Sequence, residues 1–483
     1  MYRWPAYGTG RVEPIRPSRS PTTEFGPPTL KRVTTEPLDL PADFVFGTST
    51  ASYQIEGAVS EGGRGRSVWD DFCERPGAIR DGSSGAVADD HYHRWAADVD
   101  LMAGLGIDAY RFSIAWPRVQ PDGAGAINPE GLGFYDRLVD ALCAKGIKPA
   151  ATLFHWDLPS ALEARGGWLD RETALRFGDY TTAVAERLAD RVAIWFPVNE
   201  PQVVMDLGYA RGIHAPGRTL GADALPVAHH LLLGHGLAVE RLRAAGARSV
   251  GSACNLTPAH PTTGSDADRA AAAAYAAFHN ELFVEPILAG SYPEGYAERM
   301  PGPVEEDLRV IHAPLDLFGM NYYFPTALAA PDAGHPAEID GIPARLVPFA
   351  TPKRTDFDWP VYPQGLLEIL RWLRDRFGDG LPPVHITENG AAYAVGPGID
   401  GLVHDQQRID YLDAHLRAVV AARAEGIDVA GYFLWSLLDN FEWAEGYLQR
   451  FGIVHVDYTT QARTPKDSYA WYRDTIAQVR SRA

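Results

Sequence analysis

The 483 residues are 46% hydrophobic and 22% charged, enough for a large buried core, and a formal net charge of -18 argues against a nucleic-acid partner. No apolar stretch is long enough for a membrane span or forms the core of a secretory signal. Three scattered cysteines without a CxxC pair fit reduced thiols and a cytoplasmic location.

Residues 1–40 hold seven prolines, six basic and four acidic side chains and no periodic apolar pattern, which predicts an extended or poorly ordered N-terminal arm. Residues 41–483 read as one catalytic domain. Short apolar runs at 44–47, 109–115, 148–154, 192–198, 250–255, 315–321, 384–387 and 429–434 predict strands. Amphipathic stretches such as 98–104, 134–145, 173–189, 227–244 and 405–424 predict helices between them. Eight strands alternating with helices predict parallel βαβ units closing into a single (β/α)8 barrel with elaborated βα loops.

In such a barrel, chemistry collects where strands end. Gln54 follows the first strand, Arg111 lies in the second, and His155 and Trp156 follow the third. Asn199 and Glu200 follow the fourth, residues 321–323 close the sixth, and Glu388 and Trp435 close the seventh and eighth. That one-sided gathering of hydrogen-bonding groups predicts a pocket.

Two carboxylates stand out. Ile194-Trp-Phe-Pro-Val-Asn-Glu-Pro201 ends near Glu200, and Val384-His-Ile-Thr-Glu-Asn-Gly390 near Glu388. Their strand ends face each other across an eight-fold barrel. Two such glutamates can cleave a glycosidic bond, with retention at roughly 5–5.5 Å separation and inversion at roughly 6.5–9.5 Å. A nucleophile must stay ionised, and Arg111, a cation in the apolar run Tyr110-Arg-Phe-Ser-Ile-Ala-Trp116, needs a buried carboxylate partner. Trp435, Glu442 and Trp443 in the last βα loop offer an indole face for a sugar ring and a carboxylate for its hydroxyls. His91 and His93 have HxH spacing without a third ligand set, His229 and His230 read as a helix face, and no nucleotide-binding fingerprint follows a strand.

With these residues in place, the chain resembles glycoside hydrolase family 1, the retaining β-glucosidase family, over residues 41–475. The likeness rests on Phe44-Val-Phe-Gly-Thr-Ser-Thr-Ala-Ser-Tyr-Gln-Ile-Glu-Gly57, Thr152-Leu-Phe-His-Trp-Asp-Leu-Pro159, Thr387-Glu-Asn-Gly390 and Arg450-Phe-Gly-Ile-Val-His-Val-Asp-Tyr458. The resemblance implies Glu388 as nucleophile and Glu200 as acid/base, Arg111 and Tyr323 against the nucleophile, and Asn199 on the sugar 2-hydroxyl. It further implies Gln54, His155, Glu442 and Trp443 on the other hydroxyls, Trp435 as stacking floor, and no metal or cofactor. The implied substrate is a small β-glucoside or short β-linked oligosaccharide. Galactoside or fucoside preference, transglycosylation, or a sugar-binding protein without catalysis are the alternatives.

Two departures matter. Pro197 stands where the family usually has threonine, removing a backbone donor beside Glu200. Glu442 and the uncharged Gln449 differ from the pattern of members acting on 6-phosphorylated sugars, which favours a non-phosphorylated glycone. The aglycone side is expected to be shaped by the loop at 332–352.

Overall fold

The computed structural model describes residues 37–337 and 341–482. Eight parallel strands form the centre: β1 Val45–Ser49, β2 Ala109–Ser113, β3 Lys148–Phe154, β4 Ile194–Val198, β5 Cys254–Asn255, β6 Phe318–Asn321, β7 Val384–Asn389 and β8 Val429–Trp435. Neighbours pair in the order β4-β3-β2-β1-β8-β7-β6-β5, with β1 joined to β8 from Val45↔Gly431 to Ser49↔Trp435. Around them run α1 His91–Leu105, α2 Pro129–Ala144, α3 Arg171–Leu188, α4 Leu225–Ala244, α5 Val304–Ile311, α6 Pro363–Phe377, α7 Gln406–Ala424 and α8 Asp467–Arg480. The (β/α)8 expectation holds.

The β4–β5 seam that closes the ring differs from expectation. Instead of a continuous strand over 250–255, only Cys254–Asn255 joins the ladder, and the parallel bridges Trp195↔Val250 and Asn199↔Ala253 span the rest. Pro197 lies between those bridges and has no N–H to give, so the ladder is interrupted there. Backbone bonds on either side hold the seam: Gly251 N–H donates to the Trp195 carbonyl at 2.8 Å and Glu200 N–H to the Ala253 carbonyl at 2.7 Å.

Other boundaries move by a few residues. β1 runs on to Ser49, β2 stops at Ser113, β4 begins at Ile194, and β6 begins at Phe318 rather than 315. The helix expected at 98–104 starts at His91, because His93, Arg94, Ala96 and Ala97 are exposed and hide the apolar period there. The 332–352 loop contributes Arg345–Val347, which pairs antiparallel to Thr326–Ala329. Residues 338–340 of that loop lie outside the described residues. So does the expected arm over 1–36; of its last four residues, Leu38 and Leu40 are buried in the main core.

Inside the barrel, the floor is built from Phe196 and Phe433 among Ala109, Ala150 and Ala253. Small residues are required there: a Cβ at Gly47 would lie 2.4 Å from the Phe433 ring. On that floor sits the fully buried Arg111, its guanidinium 5.2 Å from the Phe196 ring centroid. The pocket begins above it.

Candidate active site

Arg111 settles the charge balance of the pocket. Its Nη1 donates to Glu388 Oε1 at 2.6 Å and its Nη2 to Asn199 Oδ1 at 2.6 Å. The other Glu388 oxygen accepts from the Tyr323 hydroxyl at 2.7 Å. Burial leaves the Glu388 carboxyl above its ordinary range, a rise that Arg111, Tyr323 and Asn321 partly offset.

A bulge aims this part of β7. Ile386 pairs with Met320 but Glu388 already pairs with Asn321, so two residues of β7 oppose one of β6. Consecutive side chains can then both serve the pocket. Thr387 Oγ1 donates to Asn321 Oδ1 at 2.6 Å while Glu388 meets Arg111 and Tyr323. Gly390 lets the chain pass Trp435, whose carbonyl would be 1.7 Å from any Cβ at that position.

Glu200 makes no ion pair among the described residues. It sits at φ 44 just past β4, and its Oε1 accepts from Asn255 Nδ2 at 2.9 Å and Asn321 Nδ2 at 2.7 Å. Burial, with Glu388 adding like charge, pushes its carboxyl up to about 8. Two carboxyls in one pocket are therefore pulled apart: one held ionised by a guanidinium, one holding its proton at neutral pH. That division is what a two-carboxylate bond cleavage requires.

Neutral polar groups line the remainder. Because Asn199 Oδ1 is taken by Arg111, its Nδ2 must face His155 Nε2, at 3.0 Å. The His155 proton then sits on Nδ1, which is buried without a partner among the described residues. Burial and Arg111 hold this imidazole well below its ordinary pKa. Gln54 Nε2 reaches the Phe441 carbonyl at 2.8 Å and Glu442 Oε2 at 3.3 Å, leaving Gln54 Oε1 buried and unpaired among the described residues. A free donor and a free acceptor suit a ligand that offers hydroxyls. The His155 ring stacks on Trp435 at 5.9 Å and on Trp443 at 5.9 Å, joining both indoles to the network.

All ten residues expected at the site thus lie in one connected network of hydrogen bonds, stacked rings and interacting carboxyls. Glu442 is electrostatically coupled to Glu388 and Glu200, and burial pushes its carboxyl up to about 8. Its folded value lies above its unfolded one, so the stability it contributes is full at acid pH and is lost as pH rises through about 8. Glu442→Gln is expected to match the parent's stability at pH 5 and exceed it by roughly 1 kcal/mol or more at pH 9, read by thermal unfolding.

Three contributors were not assigned a role from sequence: Asn255, Asn321 and Thr387. Asn255 ends β5 in the same strand-end pattern that marked the others, and Asn321 was noted only as a polar strand end. Thr387 stands in the motif Thr387-Glu-Asn-Gly390, but its role is not legible there, because its hydroxyl matters only through the bulge. By bonding Asn321 Oδ1 it fixes which end of that amide faces Glu200. Thr387→Val is expected to cost about 1 kcal/mol, roughly fivefold in kcat/KM. It should also move the alkaline limb of the pH profile upward, since Asn321 no longer stabilises ionised Glu200.

The sequence-noted histidines fall elsewhere. His91 bonds buried Asp98 at 2.8 Å, and His93 reaches Asp90 and Glu61 at the surface. His229 is buried between Tyr292 and Asp307.

Comparison with known proteins matches residues 37–480 to the model of glycosyl hydrolase family 1. Thermostable beta-glucosidase B of Thermobispora bispora is 48% identical over 91% of this chain and 91% of its own length. The bifunctional beta-D-glucosidase/beta-D-fucosidase of Bifidobacterium breve is 44% identical over 92% and 99%. The solved virulence factor SghA of Agrobacterium tumefaciens, in complex with its substrate analog salicin, is 46% identical with a TM-score of 0.87, covering 91% of this chain and 96% of that one.

Proposed function

The chain belongs to glycosyl hydrolase family 1, and from that membership we propose that it is a retaining β-glucosidase whose nucleophile is Glu388 and whose acid/base is Glu200. The observation that carries the assignment of roles is the pairing of Glu388 with Arg111 and Tyr323 while Glu200, without an ion pair among the described residues, is pushed up to about 8.

In the first step a Glu388 oxygen forms a bond to the anomeric carbon as the bond to the aglycone oxygen breaks. Glu200 gives its proton to that oxygen, so the aglycone leaves neutral. Arg111 and Tyr323 stabilise Glu388 as the free carboxylate before attack and after release. In the second step Glu200, now ionised, takes a proton from water. The resulting oxygen attacks the anomeric carbon and expels Glu388, returning the β configuration. Asn321 and Asn255 support Glu200 in its ionised state. No step calls for a metal or organic cofactor.

Glycone binding falls to Gln54, His155, Asn199, Glu442 and Trp443, over Trp435. A carboxyl at 442 with uncharged Gln449 favours a glycone without a 6-phosphate. The Bifidobacterium breve relative is named for two activities, so β-D-fucosides are the second substrate class to test. The 332–352 loop belongs to the same reading as a shaper of the aglycone side. Three free thiols, with Cys143 exposed, support a cytoplasmic setting.

A panel of nitrophenyl glycosides tests the reading. The highest kcat/KM is expected on the β-D-glucoside, with the β-D-fucoside next. Preference for an α-glycoside or a 6-phosphoglycoside would contradict it, and a product ratio favouring transfer to alcohols over water would reassign the chain as a transglycosidase.

A further inference from the structure

We propose that the chain carries a second carbohydrate site, in a cavity of about 520 Å³ where the first turn of α3 meets α4 and the loop before α5. Arg165, Leu169, Asp170, Arg171, His230 and Pro301 line it, and none of them belongs to the glutamate pocket.

His230 selects the ligand. It is only 4% exposed, and its Nδ1 lies 2.9 Å from the Trp168 carbonyl. A carbonyl only accepts, so Nδ1 carries the proton and Nε2 presents a lone pair. Burial lowers the pKa of this imidazole and so favours its neutral form. Whatever fills the cavity must donate a hydrogen bond to it.

The charges around His230 balance. Arg171 is held by Asp307 through both guanidinium nitrogens, and Asp170 caps α3, accepting from the Glu172 N–H at 3.0 Å. Arg165 is exposed and makes no ion pair among the described residues. Two arginines thus stand against two aspartates, with one guanidinium free to donate. Leu169 and Pro301 add an apolar surface. A neutral polyhydroxylated ring meets all three demands: a hydroxyl proton for His230, a hydroxyl oxygen for Arg165, and C–H faces for the apolar side. An ionised carboxylate has no proton to donate to Nε2. The volume is in the range of small-molecule sites.

The sugar in question is D-glucose, an identity that rests on the β-glucosidase reading, since glucose is the product that reading predicts. The test fills the active site first. The enzyme is reacted with a slow 2-deoxy-2-fluoro-β-glucoside, freed of excess reagent, and titrated with D-glucose by calorimetry. Intact mass reports independently whether the glycosyl-enzyme formed. If it did not, the β-glucosidase reading fails, and the same titration on unreacted enzyme still compares the cavity variants.

One glucose per chain is expected to bind the trapped enzyme. Arg165→Ala and Pro301→Trp, both at the cavity rim, should weaken it at least tenfold while leaving turnover of an aryl β-glucoside unchanged. His230→Phe, which keeps a ring but removes the acceptor, should abolish it. Absence of glucose binding to the trapped parent would overturn the proposal, as would binding unchanged in all three variants. Inorganic phosphate binding at this cavity in place of glucose would overturn it equally.

Discussion

Glu388→Ala is expected to lower kcat on a chromogenic aryl β-glucoside by at least about 10⁴-fold, because the covalent route disappears with the nucleophile. The fold should survive. Glu388 is buried with one cation and one hydroxyl, so its removal leaves Arg111 without its carboxylate but still bonded to Asn199. A buried cation stripped of its partner costs stability, and a lowered melting temperature is the accompanying sign. Glu388→Gln, which keeps an acceptor for Arg111, should be equally inactive and closer to the parent in stability. Equal inactivity with unequal stability separates the chemical role from the structural one.

The second large effect belongs to Glu200. With Glu200→Ala, substrates bearing poor leaving groups should lose about 10²–10⁴-fold in kcat/KM, the usual worth of general acid catalysis. Substrates with good leaving groups need no proton and should keep their glycosylation rate. Their deglycosylation slows, so the glycosyl-enzyme accumulates and KM falls. Azide, which needs no general base, should restore turnover and yield a β-glycosyl azide. The pH profile supplies an independent readout. In the parent, kcat/KM is expected to fall as pH rises through about 8, where Glu200 gives up the proton that the leaving group needs. The variant should lose that alkaline limb. Retention of the limb would place the acid elsewhere, with Glu442 the alternative, since its carboxyl is also pushed up to about 8.

How much of this was legible from the chain depends on which physical rule governs each part. The barrel was readable because strands such as Lys148–Phe154 are apolar almost throughout, as buried parallel strands must be. Arg111 was readable for the opposite reason, as a charge where burial forbids an unpaired one. The weak β4–β5 seam was less so. Pro197 was visible, but that its missing N–H falls between two bridges depends on register, which pattern does not give. Thr387 was hidden for a similar reason. Strand alternation would point it away from a pocket that Glu388 faces, and only the β7 bulge lets both contribute. Asn255 and Asn321 fall between these cases. Their position at strand ends was available, whereas their shared contact with one Glu200 oxygen requires β5 and β6 side by side.

The most direct measurement is to map the residue that carries the sugar. Enzyme reacted with a 2-deoxy-2-fluoro-β-glucoside is digested at low pH, and the modified peptide is sequenced by mass spectrometry. The sugar is expected on Glu388, within the peptide containing Thr387-Glu-Asn-Gly390. A label on Glu200 or Glu442, or steady turnover with no labelled peptide at all, would contradict the assignment.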